Sequence, residues 1–343
     1  MAVAELPGAG EAQTTPGAAP RRRRGRALAG RLGSGIGIVL LILLLSSFIT
    51  YGLGALSDSD PAATILGQNA TPAQVAKLNR SLGLDKPLAV QYWDWLTSAL
   101  HGDFGVSYFT GIPVSTSIVQ RLPVDLSIAI LAVILAAIIG GVAGTCAAIW
   151  RGSIADRCVT IASSIASTLP AFVIGIVLVV IFAVGAKLLP ANGYVSPSAS
   201  VPLWLRSIIL PSFALSLQVA SDIARQLRTS LVSVLEQNYV TGARVRGLPY
   251  RRVLFRHALR NAIGPALTVL GNDFPMMLAG AVAAEEVFSL PGLGQLLLTS
   301  AQTRDIPVVQ GVLLVVSAFV VAVNIVINTL LNTLYRANDG VGA

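Results

Sequence analysis

An all-α integral membrane protein with six transmembrane helices is the fold class this sequence predicts, and three observations predict it. The first is composition. Of 343 residues, 54% are hydrophobic and only 12% charged, with a mean hydropathy of +0.73, whereas soluble domains carry roughly 25% charged residues. The second is the length of the charge-free runs. Leu32–Ser57, Leu126–Trp150, Cys158–Ala186 and Ile306–Tyr335 each reach the roughly 20 residues that cross a bilayer as helix. A run at about Ser207–Ser221, extending as helix toward Leu235, and Asn261–Ala284, broken only by Asp273, bring the expected spans to six. The third is charge placement. With the N-terminus in the cytoplasm, 17 of the 24 Lys and Arg residues fall on the cytoplasmic side, so the chain is expected N-in and C-in. The net charge of +8 is then explained by topology, and nucleic-acid binding is not needed.

Residues 1–31 are rich in Ala, Gly and Pro and end in RRRRGR, which predicts a disordered basic cytoplasmic tail against anionic lipid. The run that follows resembles a signal peptide but continues to Ser57, too long for one, so an uncleaved first span is expected. Residues 32–343 then form the six-span domain, with 58–121 as a long extracytoplasmic loop. In that loop Thr71-Pro72-Ala73-Gln74 is a helix start with cap, N1 proline and capping-box Gln. A second helix over Pro87–Leu100 places Val90, Trp93, Leu96 and Leu100 on one face, to be seated at lipid head groups or packed on a span. Gly140, Gly141 and Gly144 in span two permit close helix approach. Pro170 predicts a kink in span three. Glu285–Gly294, EEVFSLPGLG, reads as a tight Gly/Pro turn between spans five and six.

The segment Asn238–Pro265 holds six arginines and no acidic residue between two apolar spans. Gly247 divides it, and Pro249 suits the first turn of the second piece. There Tyr250, Val253, Leu254 and His257 recur at helical spacing as an apolar stripe between arginines. Such a segment is an orientation-setting loop, a lipid-surface element or a plug for a partner's groove.

Several chemistries lack their residues. GxxxxGK(S/T), HExxH and GxSxG do not occur, so no catalytic residue is expected. Two distant histidines and no His-Cys-carboxylate group give no metal site. Cys146 and Cys158 fall at cytoplasmic span ends, where a disulfide is not expected.

ARVRGLPYRRVLFRHALRNAIGP resembles the EAA-type cytoplasmic loop of permease subunits of ABC importers, in the form of the peptide/nickel group. LGLDKPLAVQYWDWLTSALHGDFGVSY resembles the outside loop of oligopeptide- and dipeptide-permease B subunits. EEVFSLPGLGQLL and RDIPVVQG resemble their last outside loop, and the matches run in order from about Leu82 to Gln310. The resemblance implies a type I ABC importer permease fold in the inner (cytoplasmic) membrane. It also implies a second permease subunit, two ATPase subunits that bind ATP and Mg, and an extracytoplasmic binding protein delivering peptide. No cofactor is expected in this chain. On that resemblance the 236–260 loop couples to the ATPase through Ala243, Gly247, Tyr250, Arg251, Arg252, Leu254 and His257. Departures are Thr241 in place of the general pattern's Glu, Gly242 in place of its first Ala, and a terminal Pro displaced to Pro265. A stand-alone channel or secondary transporter for a small solute, and a nickel-chelate permease, are the alternatives.

Three further residues are pathway or gate candidates. Phe288 and Leu290 either help close the pathway or pack as a connector. Asp273, mid-span, must face the wet pathway or find a partner: a neighbouring span or the second permease, the ammonium of a passing peptide, or a proton.

Overall fold

The computed structural model describes residues 41, 43–52, 61–67 and 70–339. The basic tail and most of the expected first span lie outside them. The chain divides into a unit Met1–Leu45, of which only the start of one helix is described, and a unit Ser46–Ala343, to which everything below refers. Helix α1 (Leu43–Gly52) falls within the expected first span and is too short by itself to cross a bilayer.

The loop after it forms α2 (Pro61–Leu66), α3 (Pro72–Leu82) and α4 (Leu88–Leu100). α3 begins as its sequence predicts. Thr71 Oγ1 accepts from Gln74 N at 3.3 Å and Gln74 Oε1 accepts from Thr71 N at 2.9 Å, and Gly83 ends the helix at φ 71°. α4 packs through Tyr92, whose hydroxyl shares a 2.8 Å hydrogen bond with Ser47 and whose ring meets Phe48 and Tyr51 edge-on. Val90, Trp93 and Leu100 of the predicted stripe point away and are exposed.

The bundle follows as α5 (Val114–Ile149), α6 (Ile154–Thr168), α7 (Ala171–Leu178, continued as π-helix over Val179–Gly185) and α8 (Val201–Leu235). Then come α9 (Asn238–Val245), α10 (Tyr250–Arg252), a π-helical turn over Val253–Ala258 and α11 (Leu259–Val287). α12 (Leu293–Thr303) and α13 (Ile306–Asp339) complete the chain. Among the described residues four helices are long and apolar enough to cross a membrane, and α6 with α7 makes a fifth candidate.

Two expectations change. Span three is not a kinked helix: α6 and α7 meet at 106°. Pro170 cannot continue the ladder, and it pushes Leu169 into extended backbone at ψ 127°, which breaks the helix outright. The turn between spans five and six is also more than a turn, because the eleven-residue α12 follows it.

α8 is the central element. Of its most apolar window 56% is buried, against 28% for α5, α11 and α13. Its longest partner is α5, and the approach depends on two of the three glycines noted in span two. A Cβ on Gly140 would lie 2.6 Å from Ala220 O, and one on Gly144 2.7 Å from Ala224 O, while Gly141 faces open space. Ser212 Oγ donates to Ile128 O at 3.1 Å and Trp204 Nε1 to Ser127 Oγ at 3.2 Å, fastening the same pair nearer the α12 end. Gly140→Ala is therefore expected to destabilise by about 1–3 kcal/mol through overpacking, and Gly141→Ala to leave stability unchanged. Thermal melts of the detergent-solubilised variants check this, and equal melting of the two would contradict the close-contact account.

Candidate functional site

At one end of the bundle α8 and α11 leave the apolar core and are joined by the basic segment. α9 is held by Val240, Ala243 and Val253, all buried and packed with Leu235 and Leu248. Gly247 closes α9 at φ 80°, the left-handed region, with its N–H donating to Arg244 O at 2.9 Å. A Cβ there would be strained by conformation, although no atom blocks it. Pro249 stands one position before the helix as its cap rather than inside its first turn. From Tyr250 the chain is then helical without interruption to Val287, so the second piece of the basic segment is the first part of a 38-residue rod.

The apolar stripe read from the sequence is real, but part of it points inward. Leu254 is 2% exposed and belongs to the main core, and Val253 is fully buried. Leu254 therefore has no surface to offer a partner. Tyr250, Arg251, Arg252 and His257 are exposed, and so are Val245 and Phe255, which sequence reasoning missed. Val245 stands between Arg244 and Arg246 and Phe255 beside Arg256, and an apolar residue among arginines is the signal available for them. Arg244 lies over the Tyr250 ring at 5.0 Å and fixes it by a cation–π contact.

Ion pairs brace this end. Arg228 of α8 makes a two-pronged contact with Asp156 of α6, Nε to Oδ1 at 2.6 Å and Nη2 to Oδ2 at 2.8 Å. Asp156 Oδ2 also accepts from Gly152 N at 2.9 Å, so the α5–α6 turn is tied to α8. Arg151 adds a pair with Glu236 at 2.5 Å. No spacing pattern marks these pairs, whose members lie 72 and 85 residues apart.

At the other end Phe288 and Leu290 are buried, 2% and 0% exposed, in the main core. Phe288 lies so close to α7 that a Cβ on Gly175 would meet its Cε2 at 3.0 Å. Ser289 between them is exposed at φ 46°. Beyond the turn, one buried and one half-buried carboxyl group receive the first turn of α12. Asp125 Oδ2 of α5 accepts from Leu293 N at 2.8 Å, and Glu285 Oε2 of α11 accepts from Gln295 N at 2.7 Å. Acidic groups suit a helix N-terminus, whose N–H groups lack helical acceptors. Gly292 and Gly294 have a steric reason: a Cβ on either would run into the Glu285 carboxylate.

Asp273 lies half-buried on α11 beside a cavity shared with α7 and α8. Among the described residues its Oδ2 has no hydrogen-bond partner, and the charged groups acting on it are Asp222 and Arg225 of α8.

Residues 136–339 match the family described as binding-protein-dependent transport system inner membrane component, and residues 33–129 match the N-terminal part described for such membrane components. A Sinorhizobium fredii protein named "Probable peptide ABC transporter permease protein y4tP" is 38% identical over 290 residues, covering 84% of this chain and 92% of its own. "Glutathione transport system permease protein GsiC" of Salmonella choleraesuis is 37% identical over 288 residues with the same coverage. With a rod that joins a basic end to a capped turn at the other, and with apolar helices of spanning length, this chain belongs to the binding-protein-dependent transport family and is a multi-pass inner-membrane permease of an ABC importer.

Proposed function

We propose that the chain is the pathway subunit of an ATP-driven importer of di- or oligopeptides. It pairs with a second permease, receives solute from an extracytoplasmic binding protein and is driven by ATPase subunits that bind ATP and Mg. The names of its relatives, peptide and glutathione permeases, support the substrate class. The basic segment is then cytoplasmic, in keeping with the Lys/Arg bias. The observation that carries the coupling role is the exposed group Val245, Tyr250 and Phe255, set among arginines on a helix continuous with a span. Aromatic anchors enter a groove while Arg251 and Arg252 meet its rim, since buried aromatic contacts dominate interface energy. A push on Tyr250 and Phe255 passes along one helix to Glu285, and through its bond to Gln295 to α12. Phe288 and Leu290 act within this movement as the packed base of the turn.

The reading is tested on the intact complex, purified with its bound solute and reconstituted in vesicles. Co-purifying peptides and peptide-stimulated ATP hydrolysis are expected, with no transport by this chain alone. A nickel chelate as the sole solute, or transport without ATPase subunits, would overturn it.

Two variants examine the coupling. Phe255→Asp is expected to lower peptide-stimulated ATPase about 30-fold or more, as loss of an interface hot spot does, with normal insertion and melting. Leu254→Ala is expected instead to destabilise the chain by about 2–5 kcal/mol as a core truncation. Selective uncoupling by Leu254→Ala with unchanged melting would refute this assignment of faces.

The turn is probed with Ser289→Cys in a chain whose Cys146 and Cys158 are replaced by Ser. External thiol reagent is expected to label it at a rate that changes with bound nucleotide. A nucleotide-independent rate would remove the turn from the transport cycle.

A further inference from the structure

Midway along the bundle, between the start of α7 and the facing sides of α8 and α11, lies a cavity of about 240 Å³. Gln218, Val219 and Asp222 of α8 line it together with Asp273, Met276 and Met277 of α11. Positions 218, 222 and 225 recur at helical spacing, so one side of α8 presents an amide, a carboxylate and a guanidinium in succession. Neither the basic segment nor the α12 cap uses any of these groups.

The charges do not balance. Arg225 is paired with Asp222 and also donates to Ser167 Oγ at 3.0 Å. Among the described residues Asp273 has no such partner, and its buried Oδ2 receives no hydrogen bond. With Asp273 ionised, two carboxylates against one guanidinium leave a deficit of one positive charge in the midst of the spans, where ionisable groups face a pathway or a partner. The group that completes the set is a monovalent cation able to donate several hydrogen bonds at once. A primary ammonium is such a group, with three N–H donors, and carboxylate and amide oxygens accept them. The cavity is smaller than the roughly 300–1,000 Å³ that encloses a whole small ligand. It suits one end of a chain molecule. Two methionines complete its wall, and their flexible, polarizable side chains accommodate varied apolar neighbours. Met276 is exposed, so the wall reaches the molecular surface.

We propose that Asp273, with Asp222 and Gln218, forms an intramembrane station for the N-terminal ammonium group of a peptide in transit. Met276 and Met277 bear loosely on its first side chain. This rests on the reading of the chain as a peptide importer's pathway, and it adds a residue-level site to it. Arg225 holds Asp222 in place as a positioning residue.

The test uses the complete importer with its binding protein in vesicles. Uptake of one peptide is compared with uptake of its des-amino analogue, in which hydrogen replaces the α-amino group. In parallel, a peptide carrying a diazirine on its first residue is photo-crosslinked during turnover. Asp273→Asn is expected to slow uptake of the amino peptide about 30-fold or more, as loss of one partner of a buried charged pair does, and to affect the analogue little. Crosslinks to Met276 and Met277 are expected in the wild type and lost in Asp273→Asn, and Asp273→Glu is expected to restore both uptake and crosslinks. Equal slowing of both peptides, or unchanged crosslinking in Asp273→Asn, would overturn the station. Loss of the second permease from the purified Asp273→Asn complex would overturn it too, because the missing cation would then be that subunit's. If the wild-type complex takes up neither peptide, the importer reading itself fails, a result separable from all of these.

Discussion

Backbone contact between α5 and α8 is the constraint on which the rest of the structure depends. Within a bilayer, lipid tails are as apolar as the helix surfaces, so burial alone does not hold helices together, and close packing must. Gly140 and Gly144 leave the space that Ala220, Ile223 and Ala224 occupy, and small residues continue along α8 as Ser212, Ala214 and Ser216. The consequence is a central helix that α5, α6, α7 and α11 all touch. Each functional feature is positioned relative to it.

The rod formed by α10, the π-helical turn and α11 is the second element that organises function, because it is one continuous helix from Tyr250 to Val287. Its first turns are anchored to α9 through Val253 and to the core through Leu254. Its middle carries Asp273 and its last turn carries Glu285. A rigid helix transmits displacement from end to end, whereas a hinge at residue 258 would absorb it. The π-helical turn over Val253–Ala258 keeps the helix unbroken while fitting Val253 and Leu254 into different clusters. Insertions of this type are frequent at functional sites.

The α12 turn shows how a buried acidic group is made tolerable. Glu285 is 1% exposed, and such a side chain demands hydrogen-bond donors. The N-terminus of α12 supplies them, but only if the backbone comes nearer than a side chain at 292 or 294 would allow. The glycines, the two carboxyls and the short helix are therefore parts of one arrangement, and altering any of them exposes unpaired groups in the others.

Much of this was legible in the sequence wherever the cause is local. Charge-free runs marked the long helices, Thr71 and Gln74 marked the start of α3, and Gly247 marked a break, because hydropathy, capping and left-handed backbone are properties of a few adjacent residues. Membership in an importer permease family was legible in ordered motifs for the same reason. What stayed hidden was direction and partnership. Periodicity identified the stripe Tyr250, Val253, Leu254 and His257, yet only packing decided that Val253 and Leu254 turn inward while Phe255 turns out. Pro170 announced a disturbance, but the 106° turn depends on the surfaces α6 and α7 find on α8. Asp156 with Arg228, Asp125 with Leu293, and Asp273 beside Asp222 join residues far apart in the chain. A buried charge requires some partner, which the sequence establishes by itself; which partner it meets is decided only when the helices are packed together.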